Sequence, residues 1–528
     1  MALLRSITTV GGFTLISRVL GFVRDILIAA VLGTGWVADC FFVAFKLPNF
    51  FRRLFAEGAF SAAFVPLFAG RIRGPSATGA APPAGLAEAR RFAEQSLAVL
   101  LLVLLLFVSL FQIAMPWLMY GLAPGFAANP EKFDLAVTLT RITFPYLLFI
   151  SLVSLLAGML NAVGRFAAAA SAPILLNLCL IGGLLVLARH TATAAHALAW
   201  SVAVAGVVQF LWLLAAARRA GLAPRLPRPR LSPGVRELIR LMIPGIIGAG
   251  AVQINLVIDV VLASFLPSGS LSYLFYADRL NQLPIGVVGV AIGTALLPAL
   301  SRQLAAGDEA TAAQSQNRAS EYALLLTVPA ALALMVAGGP IIQVLFERGA
   351  FTPASAVATG QALMAYAAGL PAYVLIKVLA PGFFARKDMK TPVRYALIAL
   401  AVNTVLNIIL MIPLKHAGLA LATAIAAWLN AGLLAGALMR RGHFRIDARL
   451  RRRLPGIVAA AALMAVVLWL LGGLLGPWFA GDGVARIGGL AVLVGAGAVS
   501  YFAAAWLFGA LGPGDLKALL RRRPRAGG

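Results

Sequence analysis

Residues 97–122 read LAVLLLVLLLFVSLFQIAMPWLMYGL, a run without a charged side chain. Apolar stretches of about 20 residues or more recur along the chain, which is what a bilayer core about 30 Å thick demands of a spanning helix. In hydrocarbon every backbone N–H and C=O must find its partner internally, so a chain built of such runs folds as packed helices. The remaining composition agrees. Of 528 residues, 61% are apolar and 12% charged, with mean hydropathy +0.93. No stretch is left over for a folded aqueous domain. No G-x-x-x-x-G-K-[ST] phosphate loop occurs, which excludes an ATP-driven motor within the chain.

The apolar runs between loop signals give fourteen expected spans. Six lie at 5–33, 36–70, 92–120, 132–162, 167–188 and 194–219. Six more lie at 234–266, 270–302, 314–346, 355–385, 392–412 and 417–441. The last two are 455–476 and 484–511. The first span is weakly signal-like but continues through Arg18 without a small-residue cleavage site, so it is expected to be retained. Cys40 and Cys179 sit in apolar segments with no spacing that suggests a metal site or a disulfide.

The formal charge of +26 could suggest nucleic-acid binding, but its distribution points elsewhere. Arg and Lys gather in alternate loops: GRIRGPS and EARR after the second span, ARRAGLAPRLPRPRLSPGVRELIR after the sixth, ARKDMKTPVR after the tenth, and MRRGHFRIDARLRRR after the twelfth. The tail KALLRRRPRAGG belongs to the same side. The intervening loops, such as LGTGW, LPSGS and WFAGDG, are poor in basic residues. This is the positive-inside pattern, and it places both termini in the cytoplasm with an even number of spans.

Two pairs of spans share punctuation. KLPNFFRRLFAEGAFSAAFVPLFA in the second resembles QLPIGVVGVAIGTALLPALS in the eighth. FPYLLFISLVSLLAGMLNAVGRFAAAASAP in the fourth resembles LPAYVLIKVLAPGFFARKDMKTP in the tenth. Six spans per half keep the same orientation, and parallel repeats of this kind place a substrate path between two bundles. The expected organisation is an N-lobe at 1–220, a C-lobe at 221–441, and an unduplicated pair of helices with a basic tail at 442–528, with the two lobes around a central cavity.

The first span carries charges where lipid would refuse them. On a helical wheel Gly11, Thr14, Ser17, Arg18, Gly21, Arg24 and Asp25 occupy a sector of roughly 140°. Each charge at mid-membrane costs about 2.5–3.5 kcal/mol on the lenient insertion scale, so such residues pair or line a pathway. An internal Arg–Asp pair is one reading, but two arginines face one aspartate. The second span adds Asp39, Lys46, Arg52, Arg53 and Glu57, with Arg53 and Glu57 at the i, i+4 spacing of a pair. The eighth adds Asp278 and Arg279. Guanidinium groups bind phosphate oxygens bidentately, so surplus arginine in a wet cavity points to a phosphate-bearing or otherwise anionic cargo.

The segments SRVLGFVRD, ADCFFVAFKLPNFFRRLFAEGAFSAAFVP, YADRLNQLPIGVVGVAIGTALLPALS and KVLAPGFFARKDMKTPV closely resemble the MurJ (MviN) family of bacterial lipid II flippases, within the multidrug/oligosaccharidyl-lipid/polysaccharide exporter superfamily. The resemblance runs essentially end to end. It implies a transporter and not an enzyme, in the bacterial inner membrane. Its cargo would be the undecaprenyl-pyrophosphate peptidoglycan precursor, moved outward by alternating access, with cell-wall synthesis and division proteins as further partners. It implies Arg18, Arg24, Asp25, Arg52 and Arg279 as substrate-binding residues, with Asp39, Glu57 and Asp278 as secondary cavity positions. It gives the last two helices a role in holding the polyprenyl tail. No cofactor is expected beyond a coupling sodium ion or proton. Sodium-coupled relatives point to Asp259 with Asn403, Asn407 and Thr423. Asn407 stands where that pattern has a second acid, and Gln282 where some relatives have one, and asparagine and threonine also simply bond neighbouring helices. The competing expectations are a flippase for another polyprenyl-linked saccharide, a cation-coupled multidrug antiporter, and a non-transporting scaffold for cell-wall synthesis.

Overall fold

The computed structural model describes residues 2–54, 60–73 and 82–512, and among them every regular element is helical. Ten helical stretches among the described residues are long and apolar enough to cross a membrane. The chain is a multi-pass helical membrane protein.

Two compact units form, one of residues 1–272 with 348–351, the other of 273–347 with 352–528. The first contains α1 (Ala2–Leu32), α2 (Trp36–Phe51), α3 (Ser61–Arg73), α4 (Pro82–Leu122), α5 (Pro130–Thr143), α6 (Tyr146–Ala162), α7 (Ala167–Val186), α8 (Ala194–Arg219) and α9 (Pro233–Ser264). Here α7 packs between α1 and α8, α2 lies on α5, and α9 lies on α3 and α4. The expected lobe boundary falls at 220, whereas by contact residues 221–272 belong with the first unit. Gly125 shows why a close fit is available there. Its N–H donates to Ser264 Oγ at 3.0 Å, and a Cβ on it would meet the Ser264 carbonyl oxygen at 2.3 Å.

A short excursion of the chain, residues 348–351, is drawn into this unit by the end of α1. The Ala350 N–H donates to Ala30 O at 2.8 Å. Gly33 (φ 66) and Gly349 (φ 59) flank the contact in the left-handed region, and a Cβ on either would meet backbone oxygen at 2.4 and 2.2 Å. Only glycine fits both the φ and the approach.

The second unit contains most of α10 (Ser270–Pro284), then α11 (Val290–Ala305), α12 (Glu309–Phe346), α13 (Pro353–Ala367), α14 (Leu370–Phe384), α15 (Lys390–Arg440), α16 (Ala448–Leu474), α17 (Gly476–Ala480) and α18 (Gly483–Leu507). Its centre is α12, which packs against α13, α14 and α16, while α16 packs against α18. Ile457, Ala460, Ala461 and Leu493 are fully buried in the seam that joins α16 and α18 to α12.

Several expected spans are interrupted, at similar places in the spans that share punctuation. The second span breaks after Phe51 into π-type winding at 52–54, and the eighth breaks into π-type winding at Ile285–Gly289. Both breaks follow a Leu-Pro pair, Leu47-Pro48 and Leu283-Pro284. Proline removes a helix hydrogen bond and crowds the preceding turn, and π-winding in membrane and soluble helices often marks function. The fourth span breaks at Phe144–Pro145 into α5 and α6, and the tenth at Ala368–Gly369, before Pro371, into α13 and α14. The expected eleventh and twelfth spans run together in α15, with a break at Lys415 (φ 50, ψ −128) just beyond Pro413. The fifth and sixth expectations, 167–188 and 194–219, fall within two residues of α7 and on α8 itself.

Candidate functional site

The charged face of α1 is organised by one residue from another helix. Arg24 is 7% exposed and Asp25 3%. Arg24 donates to Asp25 Oδ1 from Nε at 3.0 Å and from Nη2 at 2.7 Å, and its Nη1 donates to Asn177 Oδ1 at 2.9 Å. Asn177, on α7, returns a hydrogen bond from Nδ2 to the Ser17 carbonyl at 3.0 Å. A buried guanidinium paired on one edge and hydrogen-bonded on another is held in a single orientation. Arg18, one turn and a half earlier, is exposed and makes no hydrogen bond or ion pair with a described residue. The two arginines of the first span are thus unlike: one fixed beside a carboxylate, one open.

Arg52 lies at the π-type break after α2, half-buried, with Nε donating to Asn49 Oδ1 at 3.1 Å. Glu57, the other member of the expected Arg53 pair, lies outside the described residues. In the second unit Arg279 sits on α10 with its guanidinium 4.7 Å from the centre of the Phe275 ring, a cation–π contact one turn away. Its neighbour Asp278 accepts a hydrogen bond from Gln282, also one turn along.

Asp39 is 1% exposed and belongs to a different kind of arrangement. Its Oδ1 accepts from the Ser272 N–H at 3.0 Å and Oγ at 2.7 Å, and its Oδ2 from the Gly269 N–H at 2.7 Å. Lys132 Nζ approaches Oδ2 at 3.5 Å and stands 4.1 Å over the Phe126 ring. The carboxylate caps the backbone at 269–272, where free N–H groups begin a helix. That is a fastening within the first unit.

Of the residues named for sodium, Asp259 belongs to the first unit and Asn403, Asn407 and Thr423 to the second. Asp259, on α9, accepts from Asn255 Nδ2 at 3.5 Å. In α15, Asn407 donates to Asn403 Oδ1 at 3.2 Å, Asn403 to Thr423 Oγ1 at 3.4 Å, and Thr423 to the Leu419 carbonyl at 2.9 Å. These three form a neutral chain of hydrogen bonds that ties the two segments of α15 across the Lys415 break. Such a chain fits helix-to-helix bonding. Among the described residues no group of three or more His, Cys, Asp and Glu side chains gathers as a metal site.

Two polar positions escaped the sequence reading. Asn177 is the lone amide in the apolar run PILLNLCLIGG, and a single amide in a membrane helix is a signal for an interhelical partner. Lys132 is not among the charged residues singled out from the sequence, and only the fold brings it to Asp39.

A polytopic helical protein with buried and open arginines on its membrane helices has the build of a membrane carrier. The chain belongs to the lipid II flippase MurJ family, whose family model matches residues 28–487. It is 46% identical over 530 residues to the probable lipid II flippase MurJ of Rhizobium tropici, covering 99% of this chain and 97% of that protein. The corresponding protein of Rhizobium meliloti (strain 1021) is 47% identical over 89% of this chain and 87% of its own length. Among solved structures, a lipid II flippase MurJ in an inward closed conformation superposes with TM-score 0.77 at 26% identity, covering 97% of this chain and 99% of that one. An inward-facing multidrug resistance MATE family transporter of the MOP superfamily superposes with TM-score 0.66 at 15% identity, over 81% of this chain and 95% of that one. The latter likeness is one of fold.

Proposed function

We propose that this chain moves lipid II, the undecaprenyl-pyrophosphate peptidoglycan precursor, from the cytoplasmic to the periplasmic leaflet by alternating access. A pyrophosphate and its sugars cannot cross hydrocarbon unaided, because their charges and hydrogen bonds would go unsatisfied there. In this reading fourteen spans form two repeated bundles and an added pair, with both termini in the cytoplasm of a bacterial inner membrane. Arg18, Arg24, Arg52 and Arg279 are the groups that exchange water for protein around the phosphates. No bond is made or broken. Membrane potential acts on such charges with about 2.3 kcal/mol per charge per 100 mV, which is one source of energy for resetting the carrier.

The observation that carries this reading is Arg24, buried in α1 and held in one orientation by Asp25 and Asn177, in a chain that matches lipid II flippases over nearly its whole length. A carrier for cationic drugs would instead need surplus acid on these faces. The test is depletion of the protein followed by leaflet-resolved measurement of lipid-linked precursors. Lipid II trapped in the cytoplasmic leaflet is the expected result. Normal peptidoglycan together with a missing surface polysaccharide would transfer the chain to another polyprenyl-linked cargo. An arginine-neutralised protein that restores growth, with loop deletions that do not, would favour a scaffold.

A further inference from the structure

Between α8 and α9, after a turn at 220–221, the chain runs without helix over residues 222–232, and this segment is not loosely hung. Leu222 is buried at its start, and Val235 and Leu238 are buried just beyond its end. Arg90 Nη2 donates to the Ala223 carbonyl at 2.8 Å, and the Arg225 N–H donates to Glu94 Oε1 at 2.9 Å. Ser232 caps α9, accepting from the Val235 N–H through Oγ and from the Arg236 N–H through its carbonyl. Pro224, Pro227 and Pro229 fix φ at three positions within it, so little conformational freedom remains to be lost on binding.

What this braced segment displays is specific. Arg225, Arg228 and Arg230 are exposed, and so are Leu226 (62%) and Leu231 (55%) between and beside them. The first turns of α9 continue the pattern with exposed Arg236 and Arg240, four residues apart, beside exposed Ile239, Leu241 and Ile243. The one acid in the stretch, Glu237, is paired with Arg71 at 3.1 Å. None of the five guanidinium groups makes a hydrogen bond or ion pair with a described residue. The surface follows directly on α8, a helix of membrane-spanning length that ends at Arg219.

We propose that the surface at residues 225–243 is a docking site for the head groups of anionic phospholipids in the leaflet beside it. Guanidinium groups take phosphodiester oxygens in pairs. The exposed leucines and isoleucines enter the boundary between head groups and acyl chains, as the apolar residues of interfacial segments do. Five like charges on a proline-braced frame, interleaved with aliphatic side chains, complement an anionic lipid surface. A free phosphate would use the arginines but leave the aliphatic residues idle, and an acidic polypeptide has no acyl chains to receive them.

The test uses the full-length protein, delipidated in detergent and titrated with phosphatidylglycerol or phosphatidylcholine, with bound lipids counted by native mass spectrometry. Wild type should take phosphatidylglycerol in preference. Replacing Arg225, Arg228 and Arg230 together with Gln should weaken that binding by about fivefold for each guanidinium that contacts lipid. All three are exposed, so folding should survive, which the mid-point of thermal unfolding verifies. The pair Arg451→Gln with Arg452→Gln, equally exposed on α16, should leave this binding unchanged. The pair Leu226→Ser with Leu231→Ser should weaken it without altering its dependence on salt. The proposal is overturned if the triple variant binds as wild type does, if the α16 pair weakens binding as much, or if the leucine pair has no effect. Displacement of the lipid by inorganic phosphate or by polyglutamate at matched ionic strength would also overturn it.

Discussion

Arg24 and Asn177, 153 positions apart in sequence, meet through a hydrogen bond of 2.9 Å from Nη1 to Oδ1 that ties α1 to α7. It is the third bond on a guanidinium already held twice by Asp25. A hydrogen bond to a charged group contributes about 1.5–3 kcal/mol, so Asn177→Ala should lower stability by that order. Transport should fall further than stability does, because Arg24 is then free to swing about the Asp25 contact. Asn177→Asp sharpens the test. A second carboxylate on Arg24 should keep the protein folded while cancelling the charge offered to phosphate. Lipid II transport by reconstituted protein, measured beside the unfolding mid-point, separates the two effects. Full transport by a folded Asn177→Asp variant would remove Arg24 from cargo binding.

Arg279 offers its guanidinium to the Phe275 ring at 4.7 Å. Lysine keeps the charge and part of the ring contact but loses the planar fork. Arg279→Lys should therefore retain a fraction of transport, and Arg279→Ala should abolish it with normal insertion. Equal transport by both variants would make the residue a packing element and not a ligand.

Asp39 and Lys132 are both buried, yet their removal should not cost the same. Deleting one partner of a buried pair typically costs about 3–5 kcal/mol, because the other is left uncompensated. That applies to Asp39→Ala, which strands Lys132 and frees the donors of Gly269 and Ser272. Lys132→Met leaves Asp39 with three hydrogen bonds from residues 269–272, so its cost should be the smaller. Thermal unfolding of the two variants in one detergent gives the order. The reverse order would mean that the lysine, not the backbone cap, holds the carboxylate.

Glu321 is 1% exposed and gathers three arginines: Arg318 one turn ahead on α12, and Arg449 and Arg453 on α16. Asp447, the N-cap of α16, also takes Arg318. Glu321→Gln removes the charge around which three cations converge, so the penalty should approach that of a broken buried pair, about 3–5 kcal/mol. Restoring balance with Arg449→Gln in the same chain should recover part of it. A double-mutant cycle reads that coupling directly. Additive losses would show that the arginines do not depend on this carboxylate.

The sequence made the element types plain and much of the site obscure, for physical reasons. Apolar length fixes where helices run, which is why α7 and α8 fall where 167–188 and 194–219 were expected. Breaks inside spans were less visible. Pro48, Pro145 and Pro284 were noticed as shared punctuation, but whether a proline kinks, rewinds or ends a helix depends on what packs against it. The arginines were legible because charge in an apolar run is costly. Their partners were not. Asn177 is chosen by the packing of α7 on α1, and Lys132 by a fold that brings the start of α5 to Asp39. The expected boundary at 220 likewise differs from the contact boundary at 272, because punctuation in a sequence does not report which helices pack together.

The turn between α14 and α15 carries a test by pH. Asp388 accepts from Arg441 Nη1 at 2.7 Å, and from the Thr391 hydroxyl at 2.6 Å and N–H at 3.0 Å. The Arg441 hydrogen bond first, then those from Thr391, hold this carboxyl well below the usual carboxylate range. A carboxylate with a depressed value stabilises the fold at every pH above its unfolded value, and that contribution is lost only as pH falls through the folded one. The difference in unfolding mid-point between wild type and Asp388→Asn should therefore be constant from pH 8 to about 5 and shrink only below about 4. Both groups lie at the surface, so the difference should be small, and added salt should reduce the part that is ionic. A difference that disappears between pH 7 and 6 would trace to a group other than this carboxylate, with His443, on the turn that follows α15 and near Arg441, the first to replace.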